Sequence, residues 1–174
     1  MIYFVRHGET DWNKQKKVQG RNDIPMNETG FKEAKIMADK LRGVTFDMCF
    51  ASPLQRTQQT ARVIWSGPLI IDERIIECNF GGFEGGDHET MFAVVNDPNL
   101  SPDDTPNGCE SFNLFKSRVF SFIEELKAKH RGKNILVSTH GGVCEFVKLY
   151  FQGTKPFAPE TRTKNCEILA FNND

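Results

Sequence analysis

The chain opens with Met1-Ile2-Tyr3-Phe4-Val5-Arg6-His7-Gly8-Glu9-Thr10, in which an apolar run gives way abruptly to polar residues. Its β-branched and aromatic residues predict a buried strand that ends at Arg6 and His7. Ligands of open α/β sheets bind beyond the carboxyl ends of the strands, so we expect both side chains at a binding edge. A guanidinium is a forked donor for phosphate oxygens, and an imidazole is a nucleophile or acid–base group near neutral pH. The pair therefore indicates a site for a phosphorylated ligand.

Length and composition are those of an ordinary globular protein. The 174 residues carry a net charge of −1 and 26% charged side chains, and we expect one domain over residues 1–174. No long basic stretch indicates nucleic acid or a membrane surface as a partner. The cysteines lack paired spacing, which favours reduced thiols over disulfides or a zinc site: Cys49, Cys78, Cys109, Cys144 and Cys166. The apolar start is too short for a signal peptide, and we expect a cytoplasmic protein.

A second strand, predicted over residues 46–51, ends in Ser52-Pro53-Leu54-Gln55-Arg56. Ser52 and Gln55 fit a capping box, and Pro53 fits the first position of a helix. The N-terminus of a helix offers free N–H groups and a positive dipole end to an anion. Arg56 lies in that first turn, where a cation disfavours the helix, so we expect it to serve an anionic ligand.

A third strand, predicted over residues 134–138, delivers Thr139-His140-Gly141-Gly142-Val143 just before another helix. A strand end, a histidine, a glycine pair and a helix N-terminus again form the pattern of an anion site. A single histidine in an α/β protein is more often structural. The interpretation of His140 therefore depends on its repeating the strand-end placement of His7.

One carboxylate stands out because it precedes the glycine-rich segment 78–86, which is suited to the wall of a tight pocket. This is Glu77, although acidic residues are mostly solvated and its position alone does not make it catalytic. The two histidines with Glu77 could form a metal site. The neighbouring arginines would oppose a cation, and we expect no metal and no cofactor.

The alternation of apolar strands with amphipathic helices predicts a three-layer α/β/α sandwich with a mostly parallel sheet. The first long helix is expected to have Thr29 as its N-cap and Phe31 on its buried face. The last strand is expected over residues 162–171, at an edge of the sheet. Residues 83–110 combine a short helix with a proline-rich loop, and this segment is a candidate cap over the pocket.

The run Arg6-His7-Gly8-Glu9-Thr10, followed by Asp11-Trp12-Asn13, resembles the signature of the histidine phosphatase superfamily, in its phosphoglycerate mutase-like branch. The segments 52–61 and 139–143 are similar to later motifs of that family, in the same order. The resemblance implies that Arg56 clamps the phosphoryl group, that Glu77 is the general acid and that His140 is the second histidine. With His7 as nucleophile and Arg6 as a clamp, these are the expected catalytic residues. The expected phosphate and substrate contacts are Arg6, Asn13, Gln19, Gly20, Arg56, His140 and Gly141.

The expected activity is that of a metal-independent phosphomonoesterase, which acts through a phosphohistidine on a small phosphorylated metabolite. A cofactor-dependent phosphoglycerate mutase is the alternative, and a phosphate-binding regulatory protein is a further one. Mutases of the family carry Glu-Arg-x-Tyr-Gly at the acid, whereas this chain has Glu77-Cys78-Asn79-Phe80-Gly81 and stops just after its last strand. Both departures favour a phosphatase of the small type. The expected partner is a phosphate ester, and a homodimer is left open.

Overall fold

The protein is described from a computed structural model, which covers residues 1–173. Its centre is a five-stranded sheet in the order β3-β2-β4-β1-β5. The strands are β1 (Ile2–Arg6), β2 (Met48–Ala51), β3 (Leu69–Ile71), β4 (Ile135–Thr139) and β5 (Ile168–Phe171). The pairs β1–β4, β2–β4 and β2–β3 are parallel, and only the edge strand β5 runs antiparallel to its neighbour β1.

Helices cover both faces of this sheet. They are α1 (Asp11–Lys14), α2 (Glu28–Leu41), α3 (Gln55–Ile64), α4 (His88–Val95), α5 (Phe112–Lys129) and α6 (Gly141–Gln152). Short 3₁₀ turns lie at Glu73–Ile75, Gly81–Phe83, Pro106–Gly108 and Pro159–Thr161. Within residues 1–173, none of the helices has the length and apolar character needed to cross a lipid bilayer.

The alternation of side chains along the central strand β4 produces two separate cores. Ile135 and Val137 lie in the larger core, where they join α5 and α6 through residues such as Phe122. Leu136, between them, lies in the smaller core with Met37 of α2. Successive residues of a strand point to opposite faces, so the burial of every residue of β4 shows that the sheet is covered on both sides. The predicted three-layer sandwich is confirmed.

The start of α2 differs from the prediction. Its N-cap is Asn27, whose side chain accepts a hydrogen bond from the Gly30 N–H, and not Thr29. Phe31 is 38% exposed. The buried face passes through Gly30 instead, because a Cβ added there would lie 2.2 Å from the carbonyl oxygen of Glu9. The close approach of the helix to the loop after β1 therefore sets which face of α2 is buried.

The last strand is also shorter than predicted, since β5 begins only at Ile168. A turn occupies the residues before it. The Glu167 N–H donates to the carbonyl of Lys164, and the Glu167 carboxylate accepts from the Lys164 N–H. Cys166 within this turn has a φ of 53°, a left-handed conformation that interrupts a strand.

Candidate active site

The ends of three parallel strands lie side by side. Arg6 is paired with Thr139, and Ala51 is paired with Ser138. His7 and His140 therefore leave the sheet next to each other, and the centroids of their rings are 5.4 Å apart. This is the convergence that the repeated strand-end motif predicted.

These strand ends border a cavity of about 140 Å³. The predicted residues that line it are Arg6, His7, Asn13, Gln19, Gly20, Arg56, Glu77 and Gly141. His140 is not part of the lining. It lies fully buried beside His7, and its Nε2 is 2.7 Å from the Oγ of Ser52. Its Nδ1 has no hydrogen-bond partner among residues 1–173.

The hydrogen bond of His7 determines which of its nitrogens can react. Nδ1 lies 2.8 Å from the carbonyl oxygen of Gly8. Because a carbonyl can only accept, Nδ1 carries the proton and Nε2 carries the lone pair in the neutral ring. Burial, reinforced by the positive charges of Arg56 and Arg6, holds the pKa of His7 well below its usual value. His7 is therefore a neutral imidazole with a free Nε2 at neutral pH.

Two arginines give the cavity an unbalanced positive charge. Arg56 is only 1% exposed, and it donates to the carbonyls of Asn22 and Gly20 at 2.7 and 2.8 Å. Burial lowers the pKa of Arg56 to about 10, so it stays charged at neutral pH. Arg6 donates to the carbonyl of Thr163. Neither guanidinium forms an ion pair within residues 1–173, and the Nε of each is buried without a partner. Such a site strongly favours an anion.

The capping box predicted at the start of α3 is wrong. The N-cap is Leu54, which has no side chain able to cap, and the Oγ of Ser52 contacts His140. The carboxylate of Asp23 takes the anion position instead, where Oδ1 accepts from the Gln55 N–H at 2.6 Å. Because Asp23 lies 32 residues before Gln55 in the chain, the sequence around the start of α3 does not indicate this contact. The side chain of Arg56, and not the N-terminus of α3, therefore lines the cavity.

Glu77 is held with its carboxyl group between two backbone donors. Oε1 accepts from the Cys78 N–H at 2.9 Å, and Oε2 accepts from the Gly142 N–H at 3.2 Å. Burial raises the pKa of Glu77, although both hydrogen bonds and the arginines oppose that shift. A carboxyl in this state keeps its proton to higher pH than a solvated one, as a general acid requires.

Residues 2–173 match the family model of the histidine phosphatase superfamily (branch 1). The chain belongs to this superfamily. It is 28% identical to "Uncharacterized phosphatase PhoE" of Bacillus subtilis, over 94% of this chain and 83% of that protein. It is 32% identical to "Metal-independent phosphoserine phosphatase" of Arabidopsis thaliana, over 85% of this chain and 67% of that protein. The family and these relatives show that the chain is a phosphatase.

A solved structure shares the fold of this histidine phosphatase. The crystal structure of phosphoglycerate mutase from Bacillus anthracis superposes with a TM-score of 0.81 at 25% identity, and the match covers 96% of this chain and 85% of that chain. The phosphoglycerate mutase-like fold predicted from the sequence is therefore confirmed.

The cavity of the phosphatase also contains residues that the sequence did not single out as functional. His88 is the first residue of α4 and lines the cavity with Phe92 of the same helix. Glu145 of α6 and Arg162, just before β5, line it as well. The residues of α4 belong to the candidate cap at 83–110, so that segment supplies one wall of the site. Glu145 and Arg162 lie outside that segment, and no motif in the sequence marks them as part of the site.

Glu84 lies a few residues after Glu77 in the sequence but does not line the cavity. Its Oε1 accepts from the backbone N–H groups of Arg21 and Phe80, both at 3.1 Å. Its Oε2 accepts from the side chain of Asn22 at 2.6 Å. Glu84 therefore ties the loop around residue 20 to the glycine-rich segment and positions both.

Replacing Gly142 with alanine is expected to lower kcat of the phosphatase by at least about 10-fold. An added Cβ would lie 2.5 Å from the Oε1 of Glu77 and 3.2 Å from the ring of Phe115, so the carboxyl group must move. Overpacking of this kind also costs about 1–3 kcal/mol of stability. The checks are steady-state kinetics and thermal unfolding, with Gly43→Ala as the matched control, because nothing lies within 4 Å of a Cβ there. A folded Gly142→Ala protein with unchanged kcat would show that the position of Glu77 is not critical.

Proposed function

We propose that the protein is a metal-independent phosphomonoesterase that forms a phosphohistidine at His7. The observation that carries the proposal is the hydrogen bond from Nδ1 of His7 to Gly8, which leaves the Nε2 lone pair free beside Arg6 and Arg56. Neutral imidazole and uncompensated guanidinium groups are what attack on a phosphate dianion requires. The name of the Arabidopsis relative agrees with a reaction that needs no metal.

The reaction has two displacements at phosphorus. In the first, Nε2 of His7 forms the N–P bond, the P–O bond to the alcohol breaks, and the leaving oxygen takes the proton of Glu77. In the second, water attacks phosphorus, the N–P bond breaks, and the Glu77 carboxylate accepts the proton of the water. Inorganic phosphate is released, and His7 and Glu77 return to their starting protonation states.

Arg6 and Arg56 balance the charge of the phosphoryl group throughout. Two amide side chains add neutral donors. Asn13 accepts from the Thr10 N–H through its Oδ1, and Gln19 accepts from the Thr10 hydroxyl through its Oε1. The NH₂ group of each amide is therefore left to donate to phosphoryl oxygens. Because Gly141 has no side chain, the phosphoryl group can come close to Arg6 at this position.

The substrate is a small ester. The cavity of about 140 Å³ is below the roughly 300–1,000 Å³ of pockets that bind drug-sized ligands. We place the enzyme in the cytoplasm, a proposal supported by its five cysteines, all of which are free thiols.

Phosphorus NMR in the presence of EDTA tests this function. The protein is given 3-phosphoglycerate with a trace of 2,3-bisphosphoglycerate and, separately, several sugar phosphates, with His7→Ala as the control. Inorganic phosphate is expected to accumulate only with the wild-type protein. Formation of 2-phosphoglycerate without inorganic phosphate would instead make the protein a mutase, and the absence of any change would favour a phosphate-binding role.

A further inference from the structure

The segment that carries the general acid has no regular secondary structure. Residues 77–80 belong to neither a helix nor a strand. The N–H groups of Cys78 and Gly142 hold the carboxyl group of Glu77, but a side chain keeps such a position only where its own backbone is fixed. Because no helix or sheet fixes the backbone at Glu77, contacts from other parts of the chain have this role.

One guanidinium spans the backbone that leads to the acid. Arg118 of α5 donates from Nη1 to the carbonyls of Arg74 and Ile76, at 2.7 and 2.6 Å. It donates from Nη2 to the carbonyl of Glu77 at 3.1 Å. The Arg118 side chain is 14% exposed, and its guanidinium lies 4.4 Å from the centroid of the Phe115 ring. Arg118 therefore fixes residues 74–77 on the N-terminal side of the acid.

Glu110 uses the other donors of this guanidinium. Its Oε1 accepts from Nε of Arg118 at 2.7 Å, and its Oε2 accepts from Nη2 at 2.9 Å. A guanidinium has five N–H donors, and in Arg118 each of them has an acceptor within the protein. Arg118 is therefore saturated by its own fold and has no donor left for a ligand.

Glu110 also holds the backbone just after the acid. Its N–H donates to the carbonyl of Asn79 at 2.7 Å, and its Oε2 accepts from the Asn79 N–H at 3.4 Å. Burial opposes the charge of Glu110, but the hydrogen bonds and charge of Arg118, with the charge of Arg21, hold its pKa below the usual value. The ionised pair of Arg118 and Glu110 thus grips the chain on both sides of Glu77.

Arg21 connects this pair to the phosphate-facing part of the site. Its Nε donates to the carbonyl of Glu77 at 3.3 Å, and its Nη2 donates to Oε2 of Glu110 at 3.2 Å. The residues on either side of Arg21 in the chain are the ones whose carbonyls accept from Arg56. The same contacts therefore set the distance between the acid and the arginine of the cavity.

We propose that Arg118 and Glu110, with Arg21, are positioning residues of the phosphatase, which hold the backbone at Glu77 so that its carboxyl group stays at the cavity. The inference rests on the role of general acid proposed above. None of the three lines the active-site cavity, so they act on the reaction through Glu77 and not through the ester. Misplacing a reacting group by about 1 Å can cost on the order of 100-fold in rate.

The leaving group of the ester distinguishes positioning from stability. Arg118→Lys keeps the positive charge but loses the planar fork that reaches three carbonyls and a carboxylate at once. This variant is expected to lower kcat for an alkyl phosphate by about 10- to 100-fold. It should lower kcat for p-nitrophenyl phosphate by less than about 3-fold, since p-nitrophenolate needs no proton to leave.

Arg74→Lys is the matched control. Arg74 is also paired with carboxylates, those of Asp72 and Glu125, and its guanidinium lies over the ring of Phe122. Its side chain has no hydrogen bond to the backbone of residues 76–79 within the part of the chain that the structure describes. The control should therefore lose stability in a similar way and treat the two classes of ester alike.

The pH profile gives a second readout. A Glu77 carboxyl that leaves its buried position becomes more solvated, so its pKa falls towards the usual carboxyl range. Activity requires protonated Glu77, and the alkaline limb of kcat/KM should therefore move to lower pH in Arg118→Lys, by at least about one pH unit. The charged groups that face this carboxyl from other elements are unchanged in the variant: Arg6, Arg56 and Glu145. An equal loss for both esters with an unmoved alkaline limb would overturn the inference.

Arg21→Gln decides the question if Arg118→Lys does not fold. The Arg21 side chain is 41% exposed, and its removal leaves Glu110 paired with Arg118. We expect the same selectivity with a smaller size, a loss of about 3- to 10-fold for the alkyl ester and almost none for p-nitrophenyl phosphate. A loss in Arg21→Gln that is equal for both esters would contradict the inference.

A measurement without turnover separates this inference from the proposed function. Carbon-13 NMR titration follows the Glu77 carboxyl in the wild-type, Arg118→Lys and Arg21→Gln proteins, and the signal is assigned by its loss in Glu77→Gln. A lower pKa of Glu77 in the two positioning variants would support the inference even if no ester were hydrolysed. Hydrolysis through His7, together with an unchanged pKa of Glu77 in both variants, would leave the function standing and show the inference to be wrong.

Discussion

Replacing His7 with alanine is expected to lower kcat for every phosphate ester by on the order of 10⁴- to 10⁶-fold, the usual range for the loss of a catalytic nucleophile. Nε2 is the free nitrogen of this cavity-lining ring, since Nδ1 is committed to the Gly8 carbonyl. Binding of inorganic phosphate should be retained, because Arg6 and Arg56 are unchanged. The measurement is acid-quenched labelling with a ³²P-ester, combined with calorimetry of phosphate binding.

His130→Ala is the control for this variant, because His130 is the C-cap of α5 and does not line the cavity. Labelled phosphoenzyme should form in the wild-type and His130→Ala proteins and be absent from His7→Ala. Undiminished labelling of His7→Ala would contradict the assignment. It would direct attention to His140, whose ring lies against that of His7.

Replacing Glu77 with glutamine is expected to lower kcat for alkyl phosphates by about 10²- to 10⁴-fold, the usual contribution of a general acid. The effect on p-nitrophenyl phosphate should be much smaller, because p-nitrophenolate leaves without needing a proton. The amide can still accept from only one of the two backbone donors that hold the carboxyl group, Cys78 and Gly142. The measurement is kcat for both classes of ester, with Glu28→Gln as the control. An equal loss for both classes would show a structural role for Glu77.

The protonation states of His7 and Glu77 predict the pH dependence of the wild-type enzyme. Activity requires neutral His7 and protonated Glu77. Since the pKa of His7 is lowered, the acidic limb of the profile should lie below the usual histidine range. Since the pKa of Glu77 is raised, activity should persist above the usual carboxyl range and fall as Glu77 deprotonates. In kcat/KM profiles with an alkyl ester, the alkaline limb should disappear in Glu77→Gln.

Most of the sheet could be predicted because its signals are local. A run such as Ile135 to Val137 is apolar at every position, which indicates burial on both faces wherever it occurs. The positions of Arg6, His7 and His140 follow in turn, since residues after parallel strands meet at one edge. The structure brings these side chains together as the strand-end motifs indicated.

The predictions that failed depended on contacts between distant parts of the chain. Ser52 has the sequence of a cap, but its hydroxyl is engaged by His140, and Asp23 meets the helix N-terminus in its place. Phe31 has helical spacing with Ala34, but the close approach of Gly30 to Glu9 turns it outward. In each case a tertiary contact overrode a local preference of about 1 kcal/mol.

By itself, the sequence determined the layered α/β architecture and the phosphate-binding chemistry of this protein, since both depend on short motifs with a physical meaning of their own. Only the tertiary structure decided which nitrogen of His7 is free, that Glu77 is held against Gly142, and that Glu145 and Arg162 line the same cavity. These features come from burial and from hydrogen bonds between segments far apart in the chain. Such contacts set the protonation states of His7 and Glu77 and the lining of the cavity, and no local pattern of residues indicates them.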